Sequence, residues 1–172
     1  RAIAGLAASQ SATPQKPEIV LHLAGEGPEL ERLRLMAEKA CLGNAVIFHG
    51  ELTQDELAKL YDQCTLALAS LGSHRLGIAV SSAIKSREYL AKGIPFIYST
   101  PIDILDDDDS LCLHVAEDES PLDFARIIEF HDQLYAAHAE EKVIEELRAL
   151  AEARASMDRA MHTVIDYVRS GV

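Results

Sequence analysis

Short apolar runs alternate with helix-forming segments along most of this 172-residue chain. Each run is only four to seven residues long, which is typical of buried strands. The runs occupy residues 18–24, 45–48, 65–69, 95–99 and 111–115. Strands that alternate with helices of about 10 to 15 residues indicate a parallel sheet with crossover helices. We therefore expect an α/β fold, a doubly wound and mostly parallel sheet with helices on both faces, and the C-terminal helices packed on one side.

Three loops directly follow apolar runs and contain small or polar residues. These loops comprise residues 25–28, 49–51 and 71–82. Parallel sheets bind ligands at the carboxyl ends of their strands, near the point where the strand order reverses. Gly25 and Gly27 in the first loop, and His49 and Gly50 in the second, are therefore candidates for lining a ligand site. Each loop alone is a common turn, so the prediction depends on their shared position at one edge of the sheet.

The stretch 71–93 is basic, whereas the rest of the chain is strongly acidic. It contains four of the 16 Lys and Arg residues but only one of the 28 Asp and Glu residues, in a chain of net charge −12. The charged residues are Arg75, Lys85, Arg87, Glu88 and Lys92. A local excess of cations predicts an anion site. Arg75, in the loop before the helix, is a candidate for contacting phosphate or sugar, and a solvated loop is the alternative.

The same stretch predicts a helix over residues 82–91 that begins beside a bound anion. Ser81 and Ser82 are favourable N-cap residues, and Gly93 is a favourable residue to end the helix. Lys85 would then lie near the first turn, where the helix dipole disfavours a cation. That conflict disappears if an anion binds there, next to the free backbone N–H groups. A surface helix of mixed charge is the alternative.

Lys85 and Glu88 are three residues apart, so a helix places them on one face. A cation beside a carboxylate fits a nucleoside diphosphate, with Lys85 on the phosphates and Glu88 on the ribose hydroxyls. Lys85, Ser81, Ser82 and the helix N-terminus would stabilise the negative charge that develops on a departing diphosphate. Such an arrangement needs no metal, and we expect no metal or other cofactor.

Composition argues against several other functions. A net charge of −12 is unfavourable for nucleic acid and for anionic membranes, so we expect no nucleic-acid partner. No apolar run reaches the roughly 18 residues that span a bilayer, so we expect no transmembrane segment. Cys41, Cys64 and Cys112 are far apart, which predicts buried free thiols and a cytoplasmic protein. The acidic run 106–109 is expected to form a solvated turn rather than a metal site.

Three segments occur in an order and spacing that are typical of one family. They are LAGEGPEL at residues 23–30, NAVIFHG at residues 44–50 and KSREYLAKGIP at residues 85–95. Together they resemble the C-terminal, donor-binding domain of a GT-B fold glycosyltransferase of the group 1 type (family 4). The resemblance implies a single Rossmann-like, nucleotide-sugar-binding domain over residues 1–172. It also implies that this domain is a fragment of a longer chain, whose N-terminal acceptor domain would supply the catalytic base.

The resemblance also implies an order for the strands. Run 45–48 should lie outside run 18–24, and run 95–99 should lie outside run 65–69. The strand that separates these pairs in the family would precede residue 1, together with a Gly-rich loop that bears Arg or Lys.

The family's motif assigns roles to individual residues of this chain. Glu88 matches the second glutamate of an E-x7-E pattern, which binds the donor ribose, whereas Val80 takes the place of the first glutamate. This departure affects the contacts to the donor sugar. Lys85 matches a basic position of some relatives, and the backbone at His49 and Gly50 matches the part that holds the base. No catalytic residue is expected within this chain.

The implied function is that of a donor-binding domain in an enzyme, a glycosyltransferase. It would transfer a sugar from a UDP-sugar or other NDP-sugar to an unknown acceptor, and these 172 residues alone would be inactive. A domain of a nucleotide-sugar 2-epimerase stays open, because its catalytic carboxylates and histidine would lie in the missing half. A non-catalytic regulatory α/β domain also stays open. However, a receiver domain would need a phospho-acceptor Asp after the third strand, where this chain has Ala69 and Ser70.

Overall fold

The computed structural model describes residues 1–10, 19–106 and 109–170. Residue 18 of the first predicted strand and residues 107–108 of the acidic run lie outside the described residues. The chain divides into two compact units. The first unit comprises Arg1–Gln63 and Glu119–Phe130, and the second comprises Cys64–Asp118 and His131–Val172.

The described residues of the first unit form a two-stranded parallel sheet and three complete helices. Its elements are α1 (Ala2–Gln10), β1 (Leu21–Ala24), α2 (Leu30–Lys39), a 3-10 turn (Gly43–Ala45), β2 (Val46–Gly50) and α3 (Gln54–Tyr61). Leu21 of β1 lies opposite Val46 of β2, and Ala24 lies opposite Gly50. The register shifts by one residue just before Ala24, at the carboxyl ends of both strands.

The second unit contains a three-stranded parallel sheet in the order β3–β4–β5. Its elements are β3 (Ala67–Leu68), a 3-10 turn (Ser73–Leu76), α4 (Ile84–Lys92), β4 (Phe96–Tyr98), β5 (Leu113–His114), α6 (Glu140–Ala155) and α7 (Met157–Arg169). A further helix, α5 (Phe124–Ala137), begins among residues of the first unit and ends among residues of the second. Ser156 ends α6 and begins α7, and its hydroxyl accepts a hydrogen bond from the Arg159 N–H.

The predicted fold class is confirmed, because parallel strands alternate with helices along the chain. The strand neighbours that the family resemblance implied are present as the pairs β1–β2 and β3–β4. The described strands are hydrogen-bonded as two sheets, one in each unit. The assignment of residues 1–172 to a single domain stays a prediction.

Strand β4 forms the centre of the second unit's core. Phe96 and Ile97 have exposed fractions of 0% and 1%, as expected for the middle strand of a three-stranded sheet. Burial of such a side chain stabilises the fold by about 1.5–3 kcal/mol. Helix α4 contributes the fully buried Leu90 and packs against α6, so closely that a Cβ on Gly93 would lie 2.7 Å from Cγ2 of Ile144. This packing fixes α4, which carries two of the candidate ligand residues.

Helix α7 is amphipathic and exposes much of its apolar face. The exposed fractions are 74% for Met157, 49% for Val164 and 71% for Val168. None of the described helices is both long enough and apolar enough to cross a membrane.

The three cysteines are free, as predicted, but the prediction that all are buried is wrong. Cys41 is exposed and has a φ of +53°, because it follows the last turn of α2 where the chain reverses. Cys64 is half-buried. Cys112 is buried, and this burial raises the pKa of its thiol to about 12. The thiolate that reacts with electrophiles is therefore strongly disfavoured at Cys112.

Candidate functional site

The segment that leads into α4 is held extended by main-chain hydrogen bonds. The Ser81 N–H donates to the Pro101 carbonyl at 2.7 Å, and the Asp103 N–H donates to the Ser81 carbonyl at 3.1 Å. Ala83 is the N-cap residue, and it makes no side-chain capping bond. The prediction that Ser81 or Ser82 caps the helix is therefore wrong, because this bridge keeps the chain extended beyond them. The first N–H groups of α4 have no side-chain cap, which suits an anionic ligand.

Lys85 lies in the first turn of α4 and is half-buried. Its Nζ donates to the Leu68 carbonyl, the last residue of β3, over a long 3.5 Å. Among the described residues, Lys85 forms no ion pair with a carboxylate. Burial lowers the pKa of its ammonium, which shows that the charge is incompletely solvated. An anion at this position would restore favourable electrostatics to the cation.

Tyr89, one turn after Lys85, contacts the same acceptor. Its hydroxyl donates to the Leu68 carbonyl at 3.2 Å. Burial, with smaller contributions from the charges of Cys64 and Glu88, raises the pKa of Tyr89 to about 12. The hydroxyl is therefore a permanent donor at neutral pH, and it ties α4 to the carboxyl end of β3.

Glu88 and Arg75 are exposed. Glu88 lies on α4 three residues after Lys85, as the sequence predicted. Arg75 lies in the 3-10 turn between β3 and α4, and Gly77 ends that turn with a φ of +67°. Both side chains are available to a ligand of the second unit, and both also have interactions within the protein.

Arg87 was counted with the cations of this stretch, but its charge is already paired. Its Nη2 lies 2.7 Å from Oδ2 of Asp103. The Ser82 hydroxyl also hydrogen-bonds the Asp103 carboxylate. Sequence reasoning missed Asp103, because no local pattern connects it with a helix that begins 19 residues earlier.

In the first unit, the structure brings together Gly25, His49 and Gly50. The Gly25 N–H donates to the Gly50 carbonyl at 2.6 Å, and Gly25 and Gly50 have φ values of +118° and +69°. His49 pairs with His22 across the two strands, with Nε2 of His49 2.9 Å from Nδ1 of His22. Gly27 has a φ of +153° and starts the turn into α2. Its carbonyl accepts a hydrogen bond from the Leu30 N–H. These conformations favour glycine and leave open space around Gly25 and Gly27.

The candidate residues thus form two sets, one in each unit. Gly25, Gly27, His49 and Gly50 lie after β1 and at the end of β2, whereas Arg75, Ser81, Ser82, Lys85 and Glu88 lie between β3 and the end of α4. Each set lies on the carboxyl side of a parallel strand, as the sequence predicted for ligand-binding loops.

The acidic run is held by Arg154, another residue that sequence reasoning missed. Arg154 lies 2.8 Å from Oδ2 of Asp106 and 2.8 Å from Oδ2 of Asp109. It also donates to the Ile104 carbonyl at 3.4 Å. In residues 1–10, 19–106 and 109–170, no three His, Cys, Asp or Glu side chains gather in a metal-binding cluster. The described acids of this run therefore form an Arg-bound turn.

Comparison with known proteins places the chain in a family. The model of the group 1 glycosyl transferases matches residues 2–103, which is more than half of the chain. The chain therefore belongs to the group 1 glycosyltransferase family, and the resemblance found in the sequence is confirmed. No curated protein matches the chain.

Two solved structures have a similar fold. HepE of Anabaena, solved in complex with UDP-glucose, has 14% sequence identity and a TM-score of 0.67 over 98% of this chain. A structure of the GtfA/B complex has 18% identity and a TM-score of 0.64, also over 98% of this chain. At these identities the likeness shows the fold alone. The chain spans 44% of the HepE chain and 32% of the GtfA/B chain.

Proposed function

We propose that this domain binds the nucleotide-sugar donor of a glycosyltransferase, a UDP-sugar or another NDP-sugar. The observation that carries the proposal is Lys85, a half-buried ammonium with no carboxylate partner among the described residues. It lies in the first turn of α4, beside N–H groups that no side chain caps. A cation and a helix N-terminus together favour a phosphate group. The family match includes this helix, and HepE of Anabaena was solved with UDP-glucose.

Under this proposal the residues of the second unit recognise the ribose and the diphosphate. Glu88 accepts the ribose hydroxyls, and Lys85 and the amino end of α4 stabilise the phosphates. Ser81 and Ser82 lie just before the helix and add polar groups there, and Arg75 of the preceding 3-10 turn is a further candidate for contacting phosphate or sugar. The assignment of the base to the loops at Gly25, Gly27, His49 and Gly50 of the first unit stays a prediction from the sequence.

We further propose that diphosphate binding needs no divalent metal. Lys85 and the helix N-terminus supply the positive charge that a metal would otherwise provide. The ion pairs of Asp106 and Asp109 with Arg154 support this view, since they already engage both carboxylates.

Sugar transfer itself requires more than this chain in our proposal. The acceptor site and the catalytic base would belong to an N-terminal domain of a longer protein, because this chain spans less than half of the two similar structures. The free cysteines fit a cytoplasmic enzyme.

Thermal denaturation with and without ligand tests donor binding. A ligand that binds only the folded state stabilises it by about 2.7 kcal/mol at a hundredfold excess over Kd. UDP should therefore raise the melting temperature clearly, whereas AMP and inorganic phosphate should have much smaller effects. Lys85→Ala should abolish most of the UDP shift. Lys92→Ala, which removes the same charge from the other end of α4, is the matched control and should retain the shift.

Activity assays test the division between binding and catalysis. The 172 residues alone should neither transfer sugar nor hydrolyse a UDP-sugar at a measurable rate. A longer chain with the N-terminal half restored should do so, and it also serves as the control if the shorter chain shows no UDP shift. Rapid turnover by the 172 residues would contradict the proposal, as would the absence of a UDP shift in both chains.

A further inference from the structure

Asp103 connects the segment before α4 to the chain that follows β4. Its own N–H donates to the Ser81 carbonyl at 3.1 Å, and the Ser81 N–H donates to the Pro101 carbonyl at 2.7 Å. Ser81 and Ile102 thus form an isolated parallel bridge outside the main strands. This bridge fixes the extended chain from which α4 begins.

The Asp103 side chain also forms hydrogen bonds to residues at the start of α4, in addition to those of the main chain. Oδ2 of Asp103 accepts a hydrogen bond from Nη2 of Arg87 at 2.7 Å, and the carboxylate also accepts the Ser82 hydroxyl. Burial opposes the ionisation of Asp103, but the hydrogen bonds from Arg87 and Ser82 outweigh it and lower the pKa of the carboxyl group. Asp103 is therefore an anion at neutral pH, bound to residues on both sides of the first turn of α4.

We propose that Asp103 is a positioning residue of the diphosphate site, one that aligns the amino end of α4 with the phosphates without contacting them. This inference rests on the proposed function. It follows from the two attachments, because Ser82 lies just before the helix and Arg87 lies in its second turn. Their common anchor sets the direction of the uncapped N–H groups and the position of Lys85 between them.

Because Asp103 pairs with Arg87, the direction in which UDP affinity changes when Asp103 is replaced tests the proposal. If Asp103 served only to neutralise Arg87, its removal would release a cation close to Lys85 and strengthen the binding of UDP. If Asp103 positions the segment, its removal weakens the binding of UDP. The two roles therefore predict opposite changes in affinity.

Calorimetry with UDP and competition with uridine give the decisive measurement. Asp103→Asn should weaken UDP binding about tenfold, the scale of one charge-assisted hydrogen bond. The affinity for uridine, which lacks the diphosphate, should stay unchanged, so the ratio of the Kd for uridine to the Kd for UDP falls. A general loss of structure would weaken the binding of both ligands by the same factor. Ser82→Ala removes one of the attachments with little risk to the fold, and it should lower the same ratio by a smaller factor.

Asp109→Asn is the matched control, because it removes an Arg-paired carboxylate from the same part of the chain. It should leave both affinities unchanged. The inference is overturned if Asp103→Asn binds UDP as tightly as, or more tightly than, the unaltered chain, or loses UDP and uridine equally. If Asp103→Asn does not fold, an unchanged ratio in Ser82→Ala overturns it. If the unaltered chain fails to bind UDP, the proposed function fails first and the inference with it.

Discussion

Nδ1 of His22 lies 2.9 Å from Nε2 of His49, and the two imidazole rings stack with their centroids 5.2 Å apart. His22 lies on β1 and His49 on β2, next to the register shift at the strand ends. One of the two nitrogens must be unprotonated to accept the hydrogen bond. Burial, and then the proximity of His49, lowers the pKa of His22 below its usual value.

This pair predicts a loss of stability in mild acid. The folded pKa of His22 lies below its unfolded value of 6.5, so its contribution to stability is complete above pH 6.5 and is lost as the pH falls through the folded pKa. Urea unfolding from pH 8 to pH 5 should show that His22→Gln loses less stability than the unaltered chain. His162→Gln, on the exposed surface of α7, is the control. Equal slopes for the His22 variant and the unaltered chain would contradict the prediction.

Glu88 predicts a loss of affinity without a loss of stability. If it accepts the ribose hydroxyls, Glu88→Gln should weaken UDP binding by about 1–3 kcal/mol, because a neutral amide replaces a charged acceptor. The melting temperature without ligand should hardly change, since the side chain is exposed. Calorimetry on this variant and on Glu145→Gln, an exposed carboxylate of α6, provides the comparison. Equal UDP affinity in the two variants would mean that Glu88 does not bind the ribose and is an ordinary surface residue of a mixed-charge helix.

Removal of divalent ions tests the role given to Lys85. UDP should bind equally well in buffer with EDTA and in buffer with Mg²⁺ or Mn²⁺, because the ammonium and the helix N-terminus supply the positive charge. Calorimetric titrations under both conditions measure this. If affinity collapses in EDTA and returns with the metal, then carboxylates such as those of residues 106–109 take part in the site.

Replacement of Gly93 by alanine should have a steric cost in addition to the cost of backbone strain. Gly93 and Gly43 both have positive φ, +79° and +49°, so alanine at either position costs roughly 1–2 kcal/mol from the backbone. A Cβ at Gly93 would also lie 2.7 Å from Cγ2 and 3.0 Å from Cα of Ile144, whereas Gly43 has open space. Urea unfolding should therefore show Gly93→Ala to be clearly less stable than Gly43→Ala. Similar losses would mean that α6 can move away from α4 at little cost.

The parts of the structure that depend on local sequence were predictable. The run 95–99 indicated a buried strand because it is mostly apolar, and β4 is the most buried strand of its sheet. The junction of α6 and α7 also follows from local sequence, because Ser156 between them is a good N-cap residue.

The errors concern contacts between distant segments. Ser81 and Ser82 are residue types that favour the N-cap position. However, the bridge to Ile102 holds this segment extended, so that Ala83 is the N-cap residue. Asp103 has no local signal at all, because its partners lie 16 and 21 residues away in the chain. The pairing of His22 with His49 depends on the strand register, which the sequence does not specify to the residue.

The Leu68 carbonyl accepts hydrogen bonds from two donors, so one of them can move away at a low cost in free energy. Lys85 and Tyr89 both donate to this oxygen, Tyr89 at 3.2 Å and Lys85 at 3.5 Å. When the ammonium turns towards an incoming anion, the phenol keeps the buried acceptor satisfied, so no desolvation penalty of about 1–3 kcal/mol opposes the movement. The Lys85 ammonium can therefore leave the Leu68 carbonyl at little cost, because Tyr89 continues to donate to this oxygen.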